Sequence, residues 1–156
     1  MAGDQRDGVA FLLAQLGHHA AEMFGERIAA LDLTPPQAGI LRAIAAAPGR
    51  SQQALSSQLK VLPSRVVVFV DDLESRGYIE RRPNPDDRRQ YALYLTADGK
   101  DLLQKLSRLA RQHDRAVTGG LDDSQREQLR DLLATIARHQ GLTAGVHPGY
   151  RRLGSR

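Results

Sequence analysis

The sequence predicts a mainly α-helical chain with one short antiparallel hairpin in its middle, and three observations predict it. Apolar residues recur at three- and four-residue steps over most of the length, as helices with one buried face require. Proline, glycine and hydroxyl residues fall at the ends of these segments, where helices start and stop. Between Tyr78 and Leu95 the period changes, and two short apolar-rich stretches flank the turn residues Pro83-Asn84-Pro85-Asp86.

Each element has its own justification. Val9, Leu12, Leu13, Leu16, Ala20, Phe24, Ile28 and Leu31 mark a long first helix, with Asp4 or Asp7 as its start. Thr34-Pro35-Pro36-Gln37 combines a capping hydroxyl, a first-turn proline and a glutamine three residues after the cap. That second helix runs to about Ala46 and ends at Pro48-Gly49. Ser51 caps a short third helix, SQQALSSQL, which breaks at Lys60-Val61. Pro63 opens a fourth that reaches Arg76 and stops at Gly77. Tyr78 to Arg82 and Tyr91 to Leu95 are the expected strands. Thr96 caps a helix through Val117, broken by Gly119-Gly120. Asp122 or Asp123 starts the last helix, lined by Leu129, Leu132, Leu133 and Ile136, which ends at His139 before Gly141.

Bulk properties narrow the class of function. The 156 residues suffice for one domain with extensions. A composition 41% hydrophobic and 26% charged excludes wholesale disorder. The net charge of +4 fits a nucleic-acid partner without requiring one. With aromatics at 4% and no tryptophan, stacking of single-stranded bases is disfavoured. Cysteine is absent, which excludes disulfides, thiolate metal sites and thiol redox sensing. MAGDQRDG does not read as a signal peptide, and no apolar run reaches the roughly 20 residues that span a bilayer. A cytoplasmic protein without membrane association is expected.

Two short helices joined by a tight turn form a helix-turn-helix, and a hairpin directly after them makes it winged. An α-helix fits the major groove of DNA, and an arginine on a thin hairpin reaches the adjoining minor groove. At 100° per residue, Val66, Phe69, Val70 and Leu73 face the core, while Ser64, Val68, Asp71 and Ser75 face away and Arg65 and Val67 flank them. Arg65 can pair with guanine in two hydrogen bonds, and an outward valine can touch a thymine methyl. The plainer alternative is a helix with an over-apolar face and a solvated arginine. Asp71 and Asp72 would repel phosphates, which the spacing of Asp72 to Arg76 partly offsets. Arg81, Arg82, Arg88 and Arg89 surround the turn and can neutralise phosphates, although such hairpins are also common as soluble turns. Ser51 and Gln52, opening the third helix, complete the expected DNA-facing set of Ser64, Arg65, Val67, Val68, Asp87, Arg88 and Arg89.

The stretch from Ser51 to Gly99 resembles the MarR family of winged helix-turn-helix transcriptional regulators. The resemblance rests on SQQALSSQL, PSRVVVFVDDLESRGYIERR and PDDRRQYALYLTADG, and the helix order extends it over most of residues 8–141. The family's D-x-R wing signature fits Asp87-Arg88-Arg89, and its LT…G helix opening fits Leu95, Thr96 and Gly99. The resemblance implies a homodimer joined by its terminal helices, a pseudo-palindromic operator, and release by a small aromatic or anionic effector. By the same resemblance Asp87 orders the wing, while Arg89, with Arg88 beside it, approaches the minor groove. Many members carry a polar residue and an arginine where this chain has Val67 and Val68. Direct readout therefore moves toward Arg65, Ser64 and thymine methyls.

The domain organisation follows: residues 1–33 and 97–141 as dimerisation helices, 34–96 as the winged helix-turn-helix, and 142–156 as a flexible basic tail. His18, His19 and His113 are candidates to line an effector cavity, against the plainer reading that they are structural. No histidine pair has the spacing of a zinc site, so no metal and no cofactor are expected. No nucleophile elbow or phosphate-cradling glycine loop occurs, so the chain is not expected to be an enzyme. Three functions compete: a ligand-responsive repressor or activator, a constitutive DNA-architectural protein without effector, and a protein-interaction module using Val67 and Val68 as a contact patch.

Overall fold

The computed structural model describes residues 7–150. Six helices and one hairpin follow in the order α1 (Val9–Ala29), α2 (Pro35–Ala46), α3 (Gln52–Leu59), α4 (Pro63–Ser75), β1 (Ile79–Pro83), β2 (Tyr91–Leu95), α5 (Ala97–Val117) and α6 (Asp123–His139). Asp4 lies outside the described residues, and Asp7 is not the start of α1. Gly8, in an extended conformation, precedes that helix without a side-chain cap.

The other ends are set by local chemistry. Thr34 and Gln37 form a reciprocal capping box, as do Asp122 and Gln125. Ser51 accepts from the Ala54 amide at 3.1 Å, and Thr96 accepts from the Gly99 amide at 3.0 Å. Helix α4 closes with Gly77 at φ +79°, its amide donating to the Glu74 carbonyl while the Tyr78 amide donates to that of Leu73. This closure takes the Tyr78 amide out of the sheet, so β1 begins one residue later than its sequence pattern suggests.

The strands pair antiparallel, with Ile79 opposite Leu95 and Pro83 opposite Tyr91. The loop before α3 adds a short third edge: Gly49 donates to the Leu93 carbonyl and Leu93 to that of Arg50, each at 2.9 Å. Gly49 has φ +86°, and a Cβ there would lie 2.9 Å from the Tyr94 hydroxyl, so glycine is required twice over.

The core sits between α2, α3, α4, the hairpin, the C-terminal end of α1 and the first half of α5. Ile28, Ile40, Leu41, Ile44, Leu55, Val66, Val70, Leu73, Ile79, Leu93 and Leu106 are fully buried. Gly99 lets α5 lie against the chain after α4, because a Cβ would fall 2.0 Å from the Tyr78 carbonyl oxygen. Towards the ends the burial stops: Phe11 and Leu16 of α1 and Leu132 and Ile136 of α6 are exposed.

The last described residues depart from the loose tail expected. Tyr150 is buried among the core residues beside Gly39, and Val146 packs against the same cluster. The arginines after Tyr150 lie outside the described residues.

Candidate nucleic-acid interface

Helices α3 and α4 are joined by Lys60, Val61 and Leu62, and this turn is held tightly. Lys60 adopts the left-handed conformation at φ +54°. The Ser56 hydroxyl donates to the Val61 carbonyl at 2.6 Å, and the Val61 amide donates to the Ser56 carbonyl at 3.2 Å. A buried side chain therefore sets the angle between the two helices.

Helix α4 divides its residues as its period requires. Val66, Val70 and Leu73 are buried and Phe69 is half-buried. Ser64 and Asp71 are exposed, Arg65 is half-buried, and Val67 and Val68 are 41% and 64% exposed. Leu62, just before the helix, is exposed as well. Sequence reasoning missed it; its place as the cap before a first-turn proline was the available signal.

The carboxylates of α4 are neutralised from within. Asp72 accepts from Gln37 at 2.7 Å and pairs with Arg76 at 3.2 Å. Arg76 also donates to the Asp32 carbonyl at 2.8 Å, tying α4 to the end of α1. Arg81 of β1 pairs with both Asp71 and Glu74, and its backbone amide donates to Glu74. Burial alone would lower the pKa of Arg81. The hydrogen bonds and attraction of Asp71 and Glu74 outweigh it and hold the guanidinium above its ordinary range. Arg81 is thus a staple between wing and α4 rather than a free phosphate contact. Arg82 pairs with Glu80 and lies 4.3 Å from the Tyr94 ring centroid, a cation–π distance.

The wing tip is ordered by short side chains. Asp87 accepts from the Arg89 amide at 2.9 Å, and Asn84 accepts from the Asp86 amide at 3.0 Å. Arg88 and Arg89 are exposed and, among the described residues, neither they nor Arg65 holds a carboxylate. Gln90 reaches Gln53 of α3 at 3.4 Å. Asp71 shares the outward stripe of α4 with Ser64, Val68 and Ser75. Its ion pair with Arg81 therefore sets the first strand alongside that stripe.

Ser51 and Gln52 are half-buried. The Ser51 oxygen is engaged by the Ala54 amide, while Gln52 Nε2 is shielded and unpaired. The candidate histidines do not converge. His18 and His19 are exposed, His18 pairing with Glu22 at 3.2 Å. His113 alone turns inward, its ring centroid 5.3 Å from that of Phe24 and its Nδ1 without a partner. Burial, and then Arg27, hold its pKa below the ordinary value, with Asp114 opposing. Among the described residues no helix is long and apolar enough to cross a membrane.

A helix-turn-helix stapled to an arginine-tipped hairpin defines a winged helix-turn-helix protein. A sequence model of the MarR family matches residues 31–90. A protein named for transcriptional regulation of the hcr operon in Thauera aromatica is 35% identical over 111 residues, covering 71% of this chain and 67% of that one. The transcriptional regulator HosA of Escherichia coli O111:H- is 30% identical over 102 residues, covering 65% and 76% respectively. Among solved structures, the transcriptional repressor CouR bound to a 23-mer DNA duplex superposes with a TM-score of 0.74 at 33% identity, covering 88% of this chain and 98% of that one. The chain belongs to the MarR family of transcriptional regulators. These relatives are regulators, not enzymes.

Proposed function

We propose that the protein is a ligand-responsive repressor that acts in the cytoplasm as a homodimer on a pseudo-palindromic operator in double-stranded DNA. One observation carries the DNA reading. Asp71, Asp72 and Glu74 are cancelled by internal partners, and among the described residues Arg65, Arg88 and Arg89 hold no carboxylate beside exposed Val67 and Val68. Helix α4 enters the major groove with Arg65 reading guanine and Val67 and Val68 meeting thymine methyls. Arg88 and Arg89 follow the neighbouring minor groove, with Asp87 fixing the tip. Ser51, Gln52 and Ser64 complete the contacts at the starts of α3 and α4, where backbone amides favour phosphate. The likeness to CouR, a repressor solved bound to a 23-mer DNA duplex, supports duplex DNA as the partner.

Dimerisation is supported by the uncovered apolar stripes of α1 and α6, which a second copy would bury. Two copies present two recognition helices to half-sites about ten base pairs apart. The effector reading rests on His113, whose shielded and unpaired Nδ1 between α1 and α5 suits a small aromatic or anionic ligand. A screen of aromatic carboxylates by thermal shift tests it: a compound that stabilises the protein and weakens DNA binding is the expected outcome. If none does both, the constitutive architectural reading takes its place.

Salt tests the interface. Affinity for duplex DNA falls steeply with ionic strength, and Arg89→Ala reduces the slope of log affinity against log salt by about one. A salt-independent interaction would sink the DNA reading and favour a protein-contact module.

A further inference from the structure

We infer that residues 140–150 form a strap, latched by Tyr150 on Gly39, that positions the winged lobe against α6 and so sets the half-site spacing the protein accepts. The inference rests on the proposed dimeric DNA-binding reading. Helix α6 buries none of its own residues in this chain. Its covalent ties to the winged lobe are α5 before it, which packs on α2, and the chain after it, which reaches the end of α3 and then α2. The helix ends with Gly141 at φ +69°, and the Leu142 amide closes on the Ala137 carbonyl at 3.0 Å. A tight turn follows, the Val146 amide donating to the Thr143 carbonyl at 3.2 Å, and Leu142, Val146 and His147 then line a small cavity with Leu59 and Lys60 at the end of α3.

The latch is specific. A Cβ on Gly39 would stand 3.0 Å from Cε2 and from the hydroxyl oxygen of Tyr150, so the ring packs closely over this glycine, and Tyr150 is 8% exposed. Burial raises the Tyr150 pKa, with Arg42 nearby opposing. The Tyr150 amide donates to the His147 carbonyl at 3.1 Å, and the Gly149 amide donates to His147 Nδ1 at 3.0 Å, so the approach of the ring is shaped from both sides. Glycine is a poor residue for the middle of a helix. Its presence at position 39 is explained by the ring it admits. Lys60 sits in the turn that leads into α4, so the strap bears on the segment that aims the recognition helix.

Tyr150 touches no base in this scheme; it is a positioning residue. The test uses full-length protein and the duplex that the wild type selects from randomised 30-mers, remade with its half-sites one or two base pairs closer or farther apart. Single half-sites serve as controls. Wild type loses about ten-fold in affinity for each base pair of misplacement, because a rigid pair of heads has a sharp effective concentration. Tyr150→Ala, which removes the ring, flattens the profile to about three-fold or less while single half-site affinity stays unchanged, and Gly39→Ala, whose Cβ would stand 3.0 Å from the ring, shifts it in the same direction. Tyr150→Phe keeps the ring and retains the wild-type profile. Should Tyr150→Ala keep the wild-type sharpness, the positioning role is overturned alone. If wild-type protein selects no duplex, the functional reading falls and the strap's role falls with it.

Discussion

The winged lobe, residues 34–96, buries or half-buries its large apolar residues except Leu62, Val67, Val68 and Tyr91, whereas α1 and α6 leave whole stripes uncovered. Three of those four exceptions cluster around the start of α4. On the terminal helices Val9, Leu12, Leu13 and Leu16 repeat along one face of α1, and Leu132, Leu133 and Ile136 along α6. A cluster at the tip of a helix suits methyl groups on a base edge. A stripe several turns long suits another helix. One region buries its own apolar surface, while the other leaves a surface that a second copy covers in the proposed homodimer.

That contrast can be broken at several points. Leu93→Ala, at a fully buried position of β2, costs about 2–5 kcal/mol of stability in urea unfolding. A cost below ~1 kcal/mol would mean that the winged lobe is less tightly packed than its burial implies. Leu16→Glu combined with Ile136→Glu places charge on both stripes. Sedimentation velocity then gives the monomer mass, and affinity for a two-half-site duplex falls by about 100-fold or more as the avidity is lost. An unchanged dimer mass would remove the stripes from the interface.

Within the winged lobe, Arg65→Ala costs about 1–3 kcal/mol of discrimination at one base pair per half-site. Binding across a panel of single-base operator variants reads this directly, and a uniform loss at every position would make Arg65 a phosphate contact instead.

The smallest effect concerns His113. Its folded pKa lies below the ordinary 6.5, so the unfolded chain takes up the proton first as pH falls. Stability from this group is complete above pH 6.5 and is lost as pH drops from there through the lowered folded value. His113→Gln removes that component, seen as a flatter dependence of the urea midpoint between neutral and mildly acidic pH. An identical pH dependence in the variant would show that burial of this ring carries no such linkage.

Much of this architecture is legible in the chain because its signals are local. Capping hydroxyls at Ser51 and Thr96, proline at position 63 and glycine at position 77 act within one helical turn, so they bound their helices in any context. The inward set of α4 follows from period alone. Arg81 is the instructive failure. In sequence it is one of four wing arginines that look alike, yet pairing with Leu93 turns it toward Asp71 and Glu74. Arg88 and Arg89, beyond the strand-paired residues, hold no carboxylate among the described residues. Nothing within a few residues distinguishes them, since the partners belong to another element.

The described part of the tail, residues 142–150, differs from the loose segment expected for the same reason. Without a period and rich in glycine, it looked unable to hold a structure, but a single aromatic seated on a distant glycine is enough to anchor it. The third sheet edge at Gly49 and Arg50 was equally invisible, because its hydrogen bonds go to Leu93.

By itself the sequence determined which segments are helix, where the hairpin turns, and which side of each helix avoids water. Those outcomes depend on backbone geometry and side-chain preference over a handful of neighbours. Tertiary structure alone decided which arginines are free and which are bound, where Tyr150 lodges, and which apolar faces are left bare. Each of these is settled by what arrives from far along the chain, and charge or oiliness acquires a role only once its neighbour in space is known.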